Sequence, residues 1–445
     1  MQSNSDTIVA RASGQGRAGV AVLRLSGPLV PEIAAALCGE LPQPRRAKLC
    51  SFQDDNGDAL DVGLVLYFPA PASFTGEHVL ELHGHGGEVI TTLLIERCIE
   101  LGARRALPGE FSQRAFENDK LDLAQAEAIA DVIDSGSRQA ARAALRSLQG
   151  AFSTEVHALT ESLTQLRMYV EAAIDFPEEE IDFLSDKALK TRIQSVDQEF
   201  QSLIHRAGQG QVLTDGCQVV IIGAPNAGKS SLLNALAQAD TAIVTPMAGT
   251  TRDLIREHIV IDGLPVTLTD TAGLRDAPDQ IEQEGIRRAQ QALGNADQVL
   301  LLVDAQNDAE QAFVDLQAEV PDGIPVLKVL SKTDLLATQP ECADAMATSA
   351  ETGEGLDELK AKIRTLAGAS EPGQGAFSAR RRHIDALERA YVSFQTGCNA
   401  LESQAAGELM AEDLRLAQTA LAEITGDFSS DDLLGKIFGE FCIGK

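Results

Sequence analysis

Residues 217–230, CQVVIIGAPNAGKS, constrain the fold of this chain more than any other stretch. They join an apolar run to a G-x-x-x-x-G-K-S motif, and the helical pattern SLLNALAQ follows. This strand–loop–helix pattern predicts a parallel α/β domain, because the loop glycines let backbone N–H groups wrap a phosphate and the helix N-terminus adds a favourable dipole. We therefore expect a P-loop in which Lys229 reaches the β- and γ-phosphates and Ser230 binds magnesium.

Changes in composition and hydrophobic spacing along the 445 residues predict the domain organisation. Residues 1–118 mix β-rich runs with helical stretches, and residues 119–210 are rich in Ala, Leu and Gln at helical spacing. Residues 211–370 alternate strands and helices, and residues 371–445 are helical again. A helical region that is interrupted and then resumed predicts an α/β N-terminal domain followed by a discontinuous all-α domain with an inserted α/β domain.

Charge and cysteine content narrow the classes of function. The 66 acidic and 37 basic residues give a formal net charge of -29, which argues against tight, unaided binding of nucleic acid. The seven cysteines are scattered and form no CxxC pair, as is typical of reduced thiols in a cytosol. No secretory signal and no apolar run of ~20 residues is evident, so we expect a soluble cytoplasmic protein that does not enter a membrane.

The segment SKTD, residues 331–334, assigns the nucleotide base. Asp334 can accept hydrogen bonds from the N1–H and the exocyclic amine of guanine, and the stem of Lys332 can lie over the base. This element usually begins with Asn, so we expect the shorter Ser331 to lose a contact between loops and to weaken guanine affinity. In TSAETGEG, Ser349 and Ala350 are expected to aim backbone N–H groups at guanine O6. These features predict GTP rather than ATP.

Two further motifs complete the predicted nucleotide site. AGTTRD supplies Thr251 to close over magnesium, and DTAGLR supplies Asp270 and Gly273. Leu274 stands where Ras-type enzymes carry a water-orienting Gln, so the attacking water must be held elsewhere. The nucleotide-binding positions are predicted to be Asn226, Ala227, Gly228, Lys229, Ser230, Ser231, Thr245, Pro246, Met247, Ala248, Gly249, Thr250, Thr251, Asp270, Thr271, Ala272, Gly273, Ser331, Lys332, Thr333, Asp334, Ser349 and Ala350.

Together with GRAGVAVLRLSG, SFTGEHVLELHGHGG, PGEFSQRAFENDKLDLAQAEAIADVIDS, YVEAAIDFPEEEIDF and the terminal FCIGK, these motifs resemble the MnmE (TrmE) family of tRNA-modification GTPases over essentially the whole chain. The resemblance implies a folate-binding, dimerising domain at 1–118, helical parts at 119–210 and 371–445, and a G domain at 211–370. It also implies a homodimer that joins the flavoprotein MnmG (GidA) in a heterotetramer, with the tRNA held mainly by that partner.

The same resemblance implies a reaction. GTP hydrolysis would accompany the addition of an aminomethyl or carboxymethylaminomethyl group to carbon 5 of the wobble uridine, with 5,10-methylene-tetrahydrofolate as the one-carbon donor and 5-formyl-tetrahydrofolate as its analogue. The implied folate contacts are Arg24, Glu81, Lys120 and Lys445: the carboxylate would meet the amino-pyrimidine edge and the cations the glutamate tail. Taken without the family, Glu81 reads as a solvated strand residue, and Arg24 and Lys120 read as surface charges.

Catalytic residues are implied in the same way. Lys229 and Glu282 would serve hydrolysis, with Glu282 holding the attacking water. Cys442, on a tail expected to be mobile, would serve the modification chemistry as a nucleophilic thiol. Potassium would replace an arginine finger at the transition state. Its implied ligands are Asn226, Thr245, Met247 and Thr250, and those of magnesium are Ser230 and Thr251.

Other readings stay open from the residues alone. Glu282 is equally a solvated charge, and Cys442 is equally a small apolar residue of a core. A ribosome-assembly GTP switch would share the nucleotide motifs without folate chemistry, and a scaffold with a vestigial nucleotide site is the third possibility. Retention of folate by the N-terminal domain would separate the first reading from both rivals.

Overall fold

The structure is a computed structural model that describes residues 6–175, 187–239, 256–270, 290–336, 342, 344–368, 376–404, 406–427 and 431–444. The chain divides into two compact units. The first consists of Met1–Ala130 and Ala422–Lys445, and the second consists of Asp131–Leu421. Both unit boundaries fall inside helices and coincide with none of the predicted domain boundaries. The four segments 1–118, 119–210, 211–370 and 371–445 therefore remain a prediction.

A six-stranded sheet with the order β3-β4-β5-β2-β1-β6 organises the first unit. The alternation expected for HVLELHGHGG is confirmed, since Leu80 and Leu82 are buried while Glu81 and His83 face the other side. Two helices cover the Leu80 face and form one core with it. The elements are β1 Thr7–Arg11, β2 Ala18–Ser26, α1 Val30–Cys38, β3 Lys48–Gln53, β4 Ala59–Phe68, β5 Val79–Gly86, α2 Glu88–Glu100, β6 Ala103–Arg105, α3 Glu110–Glu117 and α4 Leu123–Asp134, the last crossing the unit boundary.

The second unit contains a helical region with aromatic clusters in its core. Its helices are α5 Arg138–Leu148, α6 Ala151–Asp175, α7 Lys187–Asp215, α11 Arg381–Gln404 and α12 Gly407–Thr425. Helices from before and after the insertion pack together: the Phe200 and Phe394 rings lie 5.4 Å apart, and the Tyr391 hydroxyl donates to Asp197 Oδ1 at 2.8 Å. The discontinuous helical domain predicted from the sequence is thereby confirmed. A last helix, α13 Asp431–Gly439, belongs to the first unit.

The inserted α/β domain carries a second six-stranded sheet, with the order β12-β11-β10-β7-β9-β8. All neighbouring strands run parallel except β8, which is antiparallel to β9. Parallel strands here are apolar runs, because helices lie against the sheet. The elements are β7 Cys217–Gly223, α8 Lys229–Ala239, β8 Arg256–Ile261, β9 Leu264–Asp270, β10 Gln298–Asp304, α9 Ala309–Gln317, β11 Val326–Ser331, β12 Ala345–Ala347 and α10 Leu356–Leu366.

Candidate nucleotide and folate sites

The P-loop lies where the sequence places it, between β7 and α8. Asn226 and Gly228 have φ angles of 64° and 91°, so the loop turns tightly enough to bring backbone N–H groups towards one point. The Lys229 ammonium folds back across the loop and donates to Gly223 O at 2.8 Å and to Ala224 O at 2.9 Å. This lysine is buried, and its head group lies at the cradle that a triphosphate would enter.

Two predicted magnesium-side groups, one in the first turn of α8 and one at the end of β9, meet beside the P-loop. Ser230 Oγ lies 3.5 Å from Asp270 Oδ2. Asp270 ends β9, which runs parallel to β7, and it is only 2% exposed. A hydroxyl beside a carboxylate is a hard oxygen pair of the kind that magnesium prefers. The donor set therefore fits the ion expected from the sequence.

Ser331 makes the contact between loops that the sequence analysis expected it to lose. Its hydroxyl donates to Ala227 O of the P-loop at 2.6 Å and lies 3.2 Å from Val303 O of β10. The expectation is wrong because β11 brings the backbone so close to the P-loop that a short side chain spans the gap. The expected weakening of guanine affinity has no support in this geometry.

Lys332 connects the base-recognition loop to the phosphate loop. Its ammonium donates to Asn226 O at 2.7 Å and to Asp304 Oδ2 at 2.8 Å. Burial opposes ionisation of Asp304, but the Lys332 ammonium and the Gln306 N–H outweigh it and hold the pKa of the carboxyl below its ordinary value. Asp304 was missed in the sequence analysis, although an acidic residue at the end of the apolar run QVLLLVD was a usable signal.

Asp334 is held by a partner from the second predicted base loop. Ser349 Oγ donates to Asp334 Oδ1 at 2.6 Å, which orients the carboxylate. The backbone N–H of Ser349 donates to Glu354 O at 3.0 Å, so the prediction that it points at guanine O6 is wrong. The Ala350 N–H has no hydrogen-bond acceptor within the described ranges and remains the predicted donor. Thr333 follows Lys332 in this loop, and its hydroxyl is buried without a described partner.

A cavity of about 350 Å³ opens beside these loops. Asn226, Ala227, Asp304 and Lys332 contribute to its wall, together with residues of α9. The side chain of Asn226 is exposed and forms no hydrogen bond with any described residue. Predicted residues that lie outside the described residues are Thr245, Pro246, Met247, Ala248, Gly249, Thr250, Thr251, Thr271, Ala272, Gly273, Leu274, Glu282 and Lys445.

Two of the predicted folate residues, Arg24 and Glu81, lie on the sheet face opposite Leu80 and Leu82. Arg24 of β2 pairs with Glu81 of β5, with Nη2 and Oε1 2.9 Å apart, because the two residues are cross-strand neighbours. His83 Nε2 lies 3.2 Å from the other carboxylate oxygen. The guanidinium of Arg24 lies over the rings of Phe74 and Phe111 at 5.3 and 5.8 Å. The site therefore combines a hydrogen-bonding carboxylate with one partly exposed ring, that of Phe74, while Phe111 is fully buried.

Lys120 lies against the loop that contains Phe74 and Gly76. A Cβ at Gly76 would lie 3.1 Å from its Cε atom, so the lysine stem rests on the glycine backbone. Asn118 Nδ2 donates to Thr75 O at 2.7 Å and fixes that loop. Because Phe74 belongs to this loop as well, the structure places Lys120 within one local neighbourhood of Arg24 and Glu81.

A buried ionic network around Arg114 stabilises the loop that contains Phe74 and Gly76, because Arg114 pairs with Glu77 of that loop. Arg114 is 1% exposed and pairs with Glu110 at 2.9 Å, Glu77 at 3.1 Å and Asp6 at 2.8 Å. Burial alone would raise the pKa of Glu110, but Arg104, the Leu107 N–H and Arg114 together lower it. The network ties α3 to Glu77, which also accepts from Ser26 Oγ at 2.6 Å. No pattern in the sequence marked this cluster.

The C-terminal segment packs against the N-terminal part of the first unit. Phe441 is buried beside Phe438, Ile443 forms a bridge with Pro108, and Cys442 O accepts from the Gly109 N–H at 3.4 Å. Gly444 lies so close to Arg11 O that a Cβ would not fit. The expected mobility of this tail is therefore wrong for the described residues up to 444, although the Cys442 thiol itself is exposed.

Fold and site define a class: an α/β P-loop domain with a guanine-recognition loop, inserted in a helical region and joined to an α/β unit. Two family profiles match the chain, "MnmE helical domain" over residues 123–442 and "GTP-binding protein TrmE N-terminus" over residues 7–120. The chain belongs to this MnmE (TrmE) family.

Full-length relatives agree with that assignment. The "tRNA modification GTPase MnmE" of Ectopseudomonas mendocina is 54% identical over 455 residues, which covers 100% of both chains. The protein of the same name from Pectobacterium atrosepticum is 54% identical over 453 residues, again with 100% of both chains covered. Among solved structures, Aquifex aeolicus Era bound to GDP.AlF4- aligns over 40% of this chain and 67% of that one, with 26% identity and a TM-score of 0.28, too low to add to the assignment.

Proposed function

We propose that this protein is a GTP hydrolase that acts in the modification of tRNA. The observation that carries the proposal is the assembled nucleotide site: Lys229 in the P-loop, Ser230 against Asp270, and Asp334 oriented by Ser349. Full-length relatives named tRNA modification GTPases support the coupling to tRNA. Asp334 accounts for the choice of guanine, because its carboxylate accepts where guanine offers two donors.

Magnesium and potassium are proposed as the ions of this site. Ser230 Oγ and Asp270 would stand on the magnesium side of the phosphates. Thr251 is the further proposed magnesium ligand. Asn226 would offer potassium a side-chain oxygen that no described residue engages. When bound, these cations neutralise charge that develops on the phosphoryl oxygens. Glu282 is proposed to hold the attacking water, with Lys229 as the second catalytic group; Thr245, Met247 and Thr250 are the remaining proposed potassium ligands.

The first unit is proposed to bind 5,10-methylene-tetrahydrofolate. Glu81 would accept hydrogen bonds from the amino-pyrimidine edge of the pterin, and the partly exposed Phe74 supplies an apolar ring face nearby. Since Arg24 already pairs with Glu81, its first effect is to orient that carboxylate. Lys120 and Lys445 are then the proposed cations for the glutamate tail. The one-carbon unit of this folate would supply the methylene carbon of the group added at the wobble uridine, with Cys442 proposed to take part.

A homodimer is proposed on the basis of the open face of the first sheet. Neighbouring strands there expose Val20, Leu49, Val62 and Leu64, which are 41–68% accessible. An exposed apolar patch of this kind marks an interaction surface. The other proposed partner is the flavoprotein MnmG (GidA), in a heterotetramer that holds the tRNA. The proposed location is the cytoplasm; of the described helices, not one has the length and hydropathy that a bilayer span requires.

Nucleotide and folate assays test these proposals separately. GTP hydrolysis should be much faster in potassium than in sodium at matched ionic strength, which removes general screening as a cause. Asn226→Ala should abolish most of that difference while nucleotide still binds through Lys229. Equal rates in the two salts would refute the potassium site.

Folate binding is tested on the full chain with 5-formyl-tetrahydrofolate as the probe. Glu81→Gln should weaken binding, because an NH2 donor replaces one of the two acceptor oxygens that would face the amino-pyrimidine edge, and GTP hydrolysis without tRNA should be unaffected. Lys48→Gln, a charge change at an exposed pair with Glu40, is the matched control. Wild-type affinity of the Glu81→Gln variant would refute the folate assignment and favour a GTP switch without folate chemistry.

A further inference from the structure

The nucleotide-binding domain meets the helical region of its unit at the sheet end remote from the P-loop. Helix α7 continues into β7 through Gly216, whose φ is 71° and where a Cβ would lie 2.9 Å from Pro265 O. Since Cys217 pairs with Val266 and Ile221 pairs with Asp270, the start of β9 lies beside this entry point and its end lies at the nucleotide. The domain is joined to the helical region here and again through the chain that follows α10, so its orientation also depends on non-covalent contacts.

One such contact is made by Ser137, the N-cap of α5. Its hydroxyl oxygen accepts from the Ala140 N–H at 3.1 Å, as an N-cap does. The same hydroxyl donates to Gly263 O, in the turn between β8 and β9, at 2.6 Å. Ser137 is 4% exposed, so the bond is shielded from water. Capping requires only the acceptor; the donated proton joins the helix to the nucleotide domain.

The turn that receives this bond is rigid and closely covered. Asp262 and Gly263 have φ angles of 46° and 89°, which both positions of a type I′ hairpin turn require. The Gln139 side chain lies so close to Gly263 that a Cβ there would overlap it. Asp262 Oδ2 is fixed by Arg364 Nη1 of α10 at 3.1 Å. The turn therefore transmits a displacement of β9 to Ser137 instead of deforming.

Strand β9 connects the turn to the nucleotide site. It has seven residues, or a length of roughly 20 Å at ~3.3 Å per residue. One end is the turn held by Ser137, and the other end is Asp270, 3.5 Å from Ser230 Oγ. Because β9 is hydrogen-bonded to β7 on one side and to β8 on the other, its two ends move together.

We propose that Ser137 and Gln139 are positioning residues that couple the nucleotide site to the helical region through β9. A shift of the Asp270 end when GTP replaces GDP would displace the Asp262–Gly263 turn and, through the Ser137 bond, the first turn of α5. The inference rests on the proposed GTPase function and adds a route by which exchange of GDP for GTP changes the structure outside the nucleotide-binding domain. It requires that α5 respond to nucleotide exchange although it contributes no nucleotide contact.

Hydrogen exchange on the full chain tests this coupling. Amides of the first turn of α5 should exchange at different rates with GDP and with a non-hydrolysable GTP analogue. Ser137→Asp keeps the capping acceptor, removes the donated proton and places a carboxylate against Gly263 O, so the difference should disappear while GTP affinity and hydrolysis without tRNA stay near wild type. Ser137→Thr keeps both bonds and should retain the difference. A capping role alone would leave Ser137→Asp indistinguishable from wild type in this measurement.

A second variant keeps the test decisive if Ser137→Asp destabilises the protein. Gln139→Ala removes the cover of Gly263 without touching the cap, and it should reduce the nucleotide-dependent exchange difference. Absence of any difference in the wild-type protein, or an undiminished difference in both variants, would overturn the coupling. Failure of the wild-type protein to bind GTP in a parallel titration would refute the proposed function instead, so the two outcomes are distinguishable.

Discussion

Ser331→Ala isolates the contact between the guanine-recognition loop and the P-loop. A hydroxyl has one proton, so Ser331 makes one strong bond, to Ala227 O at 2.6 Å, while Val303 O lies at 3.2 Å. Alanine removes this donor in a site where Ser331 is 6% and Ala227 is 3% exposed, and water does not readily replace it. The expected cost is about 1 kcal/mol for the bond, rising to about 3 kcal/mol if the buried carbonyl stays unpaired.

Part of this cost should appear as lost nucleotide affinity. The Ala227 peptide lies in the loop whose N–H groups face the phosphates, and a freed carbonyl lets that peptide rotate away. We expect about 1–2 kcal/mol in binding, or a Kd for GDP raised roughly 5–30-fold. Titration with a fluorescent GDP analogue measures it. Hydrolysis at saturating GTP should change little, because the bond does not touch the reacting atoms.

Ser331→Asn is the matched control, since an amide offers two protons to the same two carbonyls. Its affinity should equal or exceed that of the wild-type protein. An alanine variant with wild-type affinity would show that the loops hold their positions without the serine. A large loss in the asparagine variant would show that this junction accepts only the short side chain.

Three further predictions concern other parts of the molecule. Asp334→Asn should exchange guanine for xanthine preference and cost ~2–3 kcal/mol in GTP affinity; an unchanged nucleotide titration would contradict the base assignment. Glu110→Gln should lower stability by about 3 kcal/mol, near the low end for a broken buried pair, because Arg114 keeps two carboxylates. Because the pKa of Glu110 is lowered in the folded protein, its contribution to stability depends on pH. That contribution is present above the unfolded-state pKa of ~4.3 and is lost as pH falls through the folded-state pKa. Urea unfolding at neutral and acidic pH should therefore show less acid sensitivity in the variant. Cys442→Ser should leave GTP hydrolysis intact and abolish the modified wobble uridine, and a normal nucleoside analysis would exclude this exposed thiol from the modification chemistry.

Much of the fold followed from local pattern. The P-loop motif with its flanking strand and helix, the alternation around Glu81, and the resumption of helical spacing near residue 380 each depend on residues adjacent in the chain. Periodicity and turn chemistry act over a few residues, so they can be read without knowing what packs against them. For the same reason, the Asp-Gly pair at 262–263 marks its hairpin turn in the sequence itself.

Tertiary structure alone decided which distant groups meet. Ser331 and Ala227 are more than a hundred positions apart, and only the parallel sheet brings them within 2.6 Å, which is why a missing asparagine suggested a missing contact. The use of the Ser349 N–H by Glu354, the anchoring of Lys332 by Asp304, and the ionic network around Arg114 likewise depend on strand order and burial. Sequence determined which chemistry was present, because side-chain type is local; packing determined which of those groups were already paired, because distance and desolvation are properties of the folded chain.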